Sequence, residues 1–405
     1  MSSDEIATAG VTSGEVAPAG FDLVDDHSPH PETGMALCLS GGGYRATLFH
    51  LGAIWRLNEL GLLGQLKRIS SVSGGSITSA VLGMEWTQLG WTEHDGLRFA
   101  AADAFQDRVV GPLRKMTATS IDVSSVLWGS LNPWTWVSDE VAKKYDEVLF
   151  HHQTLQSLPD DTSGPRFVIN ATNVKTGSLW RFSRPYIADY RVGIIENPNI
   201  PLSLAVAASS AFPPVLSPMR LALDPAWFKP GVPAHDVARE LRTEAILTDG
   251  GVYDNLGLET AWKRYKTILV SDAGRKMDDD LHPATDWAGH SRRLIDLLQH
   301  QISSLRRRIA VGTFDEPGSD HNGTYWGIQT DIDRYQLANH IPCPHDKTLL
   351  IAGIPTRLTA LKSTEQDRII NWGYAVADAA VRRHIDAFKA ATAPSGFPYP
   401  LTGLG

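Results

Sequence analysis

Ser73 stands in the run Ser71-Val72-Ser73-Gly74-Gly75, and Asp249 in Thr248-Asp249-Gly250-Gly251. A serine hydroxyl becomes a useful nucleophile when a neighbouring base takes its proton, and a carboxylate can be that base. The residues around Ser73 follow the form small-x-Ser-x-Gly, a sharp strand-to-helix turn that exposes a serine Oγ. Here Ser71 replaces the glycine usual at the first position. The plainer readings are a helix N-cap for Ser73 and an Asp-Gly turn for Asp249. A third run, Ser40-Gly41-Gly42-Gly43-Tyr44-Arg45-Ala46, has three consecutive glycines. Without side chains, its N–H groups can converge on a developing oxyanion at a helix N-terminus. The same run has the letters of a dinucleotide fingerprint, but the next strand ends at Ser73 and lacks the acidic ribose partner. A nucleotide P-loop needs Gly-Lys-Ser/Thr, and this loop continues Tyr-Arg-Ala.

The elements around these runs place them. Met35–Leu39 is a continuous apolar run, as expected of a strand buried on both faces. After the glycines, Leu48, Leu51, Ile54, Trp55 and Leu57 recur at near-helical spacing, and Gly61 and Gly64 end that helix. Arg68–Val72 reads as a second strand, and Ile77, Ala80, Val81 and Met84 as the next helix. Strand–helix–strand–helix order predicts an α/β fold, a mostly parallel central sheet flanked by helices. The glycine loop and Ser73 then share one sheet edge, where open α/β sheets bind ligands. Further strands are expected at Phe167–Asn170, Ala245–Thr248, Thr267–Val270, Thr324–Gln329 and Thr348–Ile351. Helices are expected at Leu202–Ala208, at Asp286–Ala310, and from Glu365 to Ala387 with Ser363 or Thr364 as N-cap.

Composition narrows the classes. The chain has 405 residues, 42% of them hydrophobic, with a net charge of -8 and two cysteines. Such hydrophobic content is too high for a disordered chain. The acidic balance argues against nucleic acid as a partner, and two cysteines make no disulfide framework. Cys38, inside the first strand, is expected to be an inert filler. No run of about 18 apolar residues offers a membrane span. The N-terminus lacks the basic and apolar regions of a signal peptide. The expected location is therefore the cytoplasm, peripheral to membranes, with signal-independent export left open. The length sets a prior of two to three domains at about 150 residues each.

Taken together and in order, SGGGYRA, SVSGG and DGGVYDN resemble the patatin-like phospholipases, and the first is also similar to the glycine loop of cytosolic phospholipase A2 enzymes. Ala208-Ser209-Ser210-Ala211-Phe212-Pro213-Pro214 is similar to a segment of that family near its active site. The resemblance covers roughly residues 35–90 and 200–275. It implies a patatin-like three-layer fold and a lipid acyl hydrolase using a Ser–Asp dyad without histidine, metal or cofactor. Ser73 is then the nucleophile, Asp249 the base, and Gly41, Gly42 and Gly43 the oxyanion hole. Arg45 is the arginine after the loop, either supporting it or meeting a substrate phosphate. The implied partner is a phospholipid or other lipid ester at a membrane surface. The domain reading becomes a flexible arm (1–33), one catalytic domain (34–392) with a helical Trp-rich insert at about 86–161, and a tail (393–405).

Two rivals stand beside this reading. One is an α/β-hydrolase with a Ser-Asp-His triad drawing on a late histidine such as His282, His290, His321 or His345. The other is a catalytically silent module that binds lipid or a partner. Two segments are candidates for membrane contact. Ile121, Val123, Val126, Leu127, Trp128, Leu131, Trp134 and Trp136 form either a lid or a satellite core. Leu294, Leu298, Ile302, Leu305 and Ile309, beside Arg306–Arg308, form a helical stripe expected to face the core, its alternative being a lipid surface.

Overall fold

A computed structural model describes residues 31–121, 137–233, 236–277 and 279–405. The described strands are β1 (Glu32–Leu39), β2 (Arg68–Val72), β3 (Thr92–His94), β4 (Leu97–Phe99), β5 (Arg166–Asn173), β6 (Ser178–Phe182), β7 (Tyr186–Asp189), β8 (Gly193–Glu196), β9 (Met219–Ala222), β10 (Glu244–Asp249), β11 (Tyr265–Asp272) and β12 (Asn322–Gly327). The helices that matter below are α1 (Gly43–Glu59), α2 (Gly74–Glu85), α3 (Leu202–Ser209), α4 (Trp287–Asp315), α5 (His345–Ala352) and α6 (Ser363–His384).

Strands β12-β11-β1-β2-β5 form a parallel block. Beyond β5 the sheet turns antiparallel through β6, β7 and β8, and β10 pairs antiparallel with both β5 and β9. The sheet is thus the expected parallel core, extended by antiparallel strands of which the sequence pattern revealed β10 alone. Four of these, β6 to β9, have only four or five residues each, too short for a clear period of two.

Both faces of the parallel block are buried, which makes three layers. Leu37, Leu39, Ile69 and Leu269 face a large core with α1, α2 and α6. Ala36, Cys38, Ile268 and Val270 face a smaller one, closed by Leu256, Leu258, Ala261 and Ala310. This alternation is why β1 reads as an unbroken apolar run. Burial pushes the Cys38 thiol well up, so it stays protonated. On the large-core side α1 and α6 touch backbone to backbone: a Cβ on Gly52 would lie 2.0 Å from the Ile370 carbonyl oxygen, and one on Gly373 would lie 2.0 Å from that of Phe49.

Several local expectations change. Thr348–Ile351 is part of helix α5, not a strand. It starts after Pro344 and buries Thr348, Ile351 and Ala352, three and four residues apart as on one helix face. Helix α6 begins after Lys362, whose N–H donates to the Glu365 carboxylate (2.8 Å), so neither Ser363 nor Thr364 caps it. Residues 393–405 pack on α6, where the Asn371 side chain donates to the carbonyls of Tyr399 (2.9 Å) and Gly403 (2.8 Å). Most of the expected N-terminal arm, and Val123 to Trp136 of the aromatic cluster, lie outside the described residues. Ile121 packs on the large core, and Trp86 and Trp91 pack together with ring centroids 4.5 Å apart.

Candidate active site

The site sits where two strand tips meet. β2 runs parallel to β5 until Val72 opposes Asn170, and β10 runs antiparallel to β5 until Asp249 opposes Ala171. The C-terminal ends of β2 and β10 therefore approach head-on along one edge of β5. Ser73 follows one tip and Asp249 ends the other. The Ser73 hydroxyl lies close enough to the Asp249 carboxylate to favour its charged form.

Ser73 turns the chain sharply into α2 at φ 52° and ψ -121°, a positive φ unusual for a non-glycine residue. Such a conformation costs about 1–3 kcal/mol and persists where its surroundings over-determine it. Those surroundings are visible. The Ser73 N–H donates to Ser209 Oγ (2.9 Å), and Ser209 Oγ in turn donates to the Asn170 carbonyl (2.6 Å). Ser76 Oγ lies 2.9 Å from the same Ser209 hydroxyl. The Asn170 amide donates to Ser70 Oγ (2.9 Å) and to the Ser71 carbonyl (3.0 Å). Ser209 thus ties the tip of β2 to β5.

The same segment anchors the second tip. The Asp249 N–H donates to the Ala211 carbonyl (2.9 Å), and Thr172 Oγ1 donates to the Asp249 carbonyl (2.9 Å). The carboxylate accepts the Gly251 N–H at 2.7 Å. It is 2% exposed, and burial raises its pKa to about 7 against the opposing pull of the Gly251 N–H and the nearby Ser73 hydroxyl. Asp254 and Asn255 brace the turn that follows. Asp254 accepts the N–H groups of Leu256 (3.1 Å) and Glu259 (2.8 Å).

The glycine loop lies against the nucleophile. A Cβ on Gly41 would come within 3.1 Å of Ser73 Cβ and 2.4 Å of Asn255 Oδ1, so only glycine fits. The Gly41 N–H donates to the Asn255 carbonyl (3.1 Å). That amide is therefore occupied within the fold. Gly42 (φ 146°) and Gly43 (φ 58°) lead into α1, and among the described residues their amides have no acceptor. Both sit at the positive end of a 17-residue helix.

Arg45 is 1% exposed and donates to three backbone carbonyls: Ala273 (2.9 Å), Ala352 (3.4 Å) and Ile354. It pins the start of α1 to the end of β11 and to the chain after α5. Burial lowers its pKa to about 10, still well above neutral. His50 is also buried, with Nε2 2.9 Å from the Ser40 carbonyl and Nδ1 2.8 Å from Ser271 Oγ. Burial lowers its pKa to about 4, so it is neutral.

No described histidine hydrogen-bonds Ser73 or Asp249. His282 and His290 are exposed, His321 lies edge-on to Trp262 with centroids 4.2 Å apart, and His345 lies by Thr348. A cleft of about 120 Å³ lined by Leu258, Trp262, Arg306 and Ile309 contains neither Ser73 nor Asp249.

Sequence reasoning quoted Ser209 without a role and missed Asn170, Thr172 and Tyr145. The buried Tyr145 hydroxyl lies near Ser210 and Asp249. Asn170, a polar residue closing the apolar run Phe167-Val168-Ile169, was a usable signal; nothing local marks Tyr145.

A strained serine between a parallel strand and a helix thus lies beside a buried carboxylate and a glycine-rich helix start on an α/β fold. The patatin-like phospholipase family matches residues 37–262, more than half of the chain, and the chain belongs to that family. Among solved structures it is similar to human GIVD cytosolic phospholipase A2, at 13% identity over 85% of this chain and 60% of that one, with a TM-score of 0.48. The same enzyme in complex with methyl gamma-linolenyl fluorophosphonate gives 15%, 85%, 57% and 0.49. VipD from Legionella pneumophila gives 14% identity, 87% and 66% coverage and a TM-score of 0.35. The chain spans about 60% of the length of the human enzyme. No curated protein matches it in sequence.

Proposed function

We propose that this chain is a lipid acyl hydrolase that cleaves carboxylic ester bonds through Ser73 and Asp249, by way of an acyl-enzyme. One observation carries the reading: Ser73, held at positive φ just after the tip of β2, lies beside the buried Asp249 carboxylate, whose pKa burial raises to about 7. A base of that strength is ionised often enough near neutral pH to take a proton, and basic enough to hold it briefly. Asp249 takes the Ser73 proton as Oγ attacks the ester carbonyl. The oxyanion is received by the N–H groups of Gly42 and Gly43, and Gly41 provides the clearance that lets the loop approach Ser73. Asp249 returns the proton to the leaving alcohol, and water attacks the acyl-enzyme in the mirror step. Arg45 acts as the brace of the loop. The substrate is a phospholipid or related lipid ester presented at a surface. No helix among the described residues is long and apolar enough to cross a membrane.

The test is labelling of Ser73 by a fluorophosphonate probe, together with mass spectrometry of the products from mixed lipids, wild type against Ser73→Ala. Labelling at Ser73 and loss of fatty-acid release in the variant are expected. An unlabelled Ser73, or full activity in a folded Asp249→Ala protein, overturns the dyad.

A further inference from the structure

Helix α4 is 29 residues long, about 43 Å at the rise of an α-helix, yet Ala310 is its one buried residue. The stripe of Leu294, Leu298, Ile302, Leu305 and Ile309 does not face the core as expected. All five are exposed, Leu298 at 59%, and Trp287 at the start of the helix is 86% exposed. The reason is visible on the opposite side. Arg306 turns inward to Glu259 (3.3 Å) and over the Tyr253 ring, Arg307 lies over the Tyr325 ring, and Ala310 and Phe314 join the small core. These residues seat the helix, and no described element covers its other face.

We infer that this face of α4 docks the protein on an anionic lipid bilayer, beside the catalytic edge. Three observations select that occupant. Trp287, Leu294, Leu298, Ile302, Leu305 and Ile309 fall within an arc of about 80° on a helix of 3.6 residues per turn, a straight apolar ribbon suited to a flat surface. The charge is complementary: in a chain of net charge -8, Arg292 and Arg308 are exposed on α4. The position is also right for a surface-borne substrate. Arg306 Nε lies 3.7 Å from Asp254, in the short helical turn Gly251–Asp254 that follows the Asp249 tip.

The choice of a lipid surface rests on the lipid-substrate reading above, and the test separates the two. The full chain is floated with vesicles of equimolar phosphatidylcholine and phosphatidylserine, and with vesicles of phosphatidylcholine alone. Wild type and Ser73→Ala are expected to bind the mixed vesicles equally, and the pure ones at least tenfold more weakly. A triple variant, Leu298→Gln with Ile302→Gln and Leu305→Gln, is expected to lose at least tenfold in vesicle binding. It keeps its hydrolysis of a soluble short-chain ester and its thermal midpoint. A double variant, Arg292→Ser with Arg308→Ser, is expected to bind the mixed vesicles severalfold more weakly. Wild-type-like binding by the triple variant, no binding by wild type, or equal binding to both vesicle types overturns the inference. So does a wild-type dimer that the triple variant dissociates, since a second copy then covers the face. Vesicle binding without hydrolysis by wild type leaves the docking standing and defeats the catalytic reading.

Discussion

The two strand tips and helix α4 are neighbours, linked where Arg306 meets Asp254, but they are built in opposite ways. At the tips nearly every group is held from more than one side. Ser209 Oγ serves both Ser73 and the Asn170 carbonyl, and Asp249 is fixed through its N–H, its carbonyl and its side chain. Such over-determination lets a serine remain at positive φ and a carboxylate remain buried. Along α4 a few side chains on one side hold the helix, and the apolar face is left out. Chemistry needs fixed geometry, whereas a docking face needs apolar area free of internal partners. Perturbing the first region should therefore change rate and stability steeply, and perturbing the second should change neither.

The steepest test is the dyad itself. Ser73→Ala and Asp249→Ala are each expected to lower kcat by at least about a thousandfold while the fold survives, as read by fatty-acid release and circular dichroism. Gly41→Ala comes next. Its methyl group would sit 3.1 Å from Ser73 Cβ and 2.4 Å from Asn255 Oδ1, pushing the glycine loop off the nucleophile. A fall in kcat of about 10²–10³ is expected, the scale of losing one oxyanion donor. A near-normal kcat in Gly41→Ala would show that the loop is not part of the reacting geometry.

The acidity of Asp249 gives the next effect. A base with a pKa of about 7 makes kcat/KM rise with pH up to about 7, falling about tenfold per unit well below it. A profile flat from pH 5 to 8 would remove Asp249 as the base. Stability should move the other way. The folded carboxyl is raised above its ordinary value of 3.8, so the folded state binds the proton more tightly than the unfolded chain does. Stability is fully present below about pH 4 and is lost as pH climbs through about 7. Relative to wild type, Asp249→Asn should therefore gain stability between these limits, as followed by urea unfolding at a series of pH values.

How much of this was legible in the sequence follows from the same contrast. The tips announce themselves because tight backbone geometry restricts residue choice locally, which leaves Gly41–Gly43, Gly74-Gly75 and Gly250-Gly251 as marks beside the functional groups. The parallel block was legible because strands buried on both faces read as apolar runs. What could not be read was how β10 arrives. Its apolar residues show a strand, but its antiparallel pairing with β5, which turns Asp249 head-on toward Ser73, depends on partners about 75 residues away in the chain. Nor does a period of 3.6 say which side of a helix is covered. That depends on how much core remains on that side of the sheet, and the face toward α4 holds the smaller one.

Ser209→Ala probes how far the over-determination reaches. It leaves the Ser73 N–H without its acceptor in a buried setting, a loss of about 1–3 kcal/mol. The elbow should loosen, lowering kcat severalfold with KM little changed. Equal stability and equal kcat in this variant would mean that the elbow is held by its glycines alone.

The smallest effect is expected on α4, and there the comparison is most exposed to failure. Leu51 and Leu298 are both leucines on amphipathic helices, but Leu51 on α1 is fully buried in the large core and Leu298 on α4 is 59% exposed. Leu51→Ala removes a packed side chain and should cost about 2–5 kcal/mol. Leu298→Gln removes little that is buried and should stay within about 0.5 kcal/mol of wild type, both measured by denaturant unfolding of the lipid-free protein. If Leu298→Gln instead costs as much as Leu51→Ala, its side chain is covered in solution, and α4 belongs to the same packed regime as the strand tips. If it is neutral, the protein carries a long apolar ribbon that its own fold does not need, next to the strand tips that hold Ser73 and Asp249.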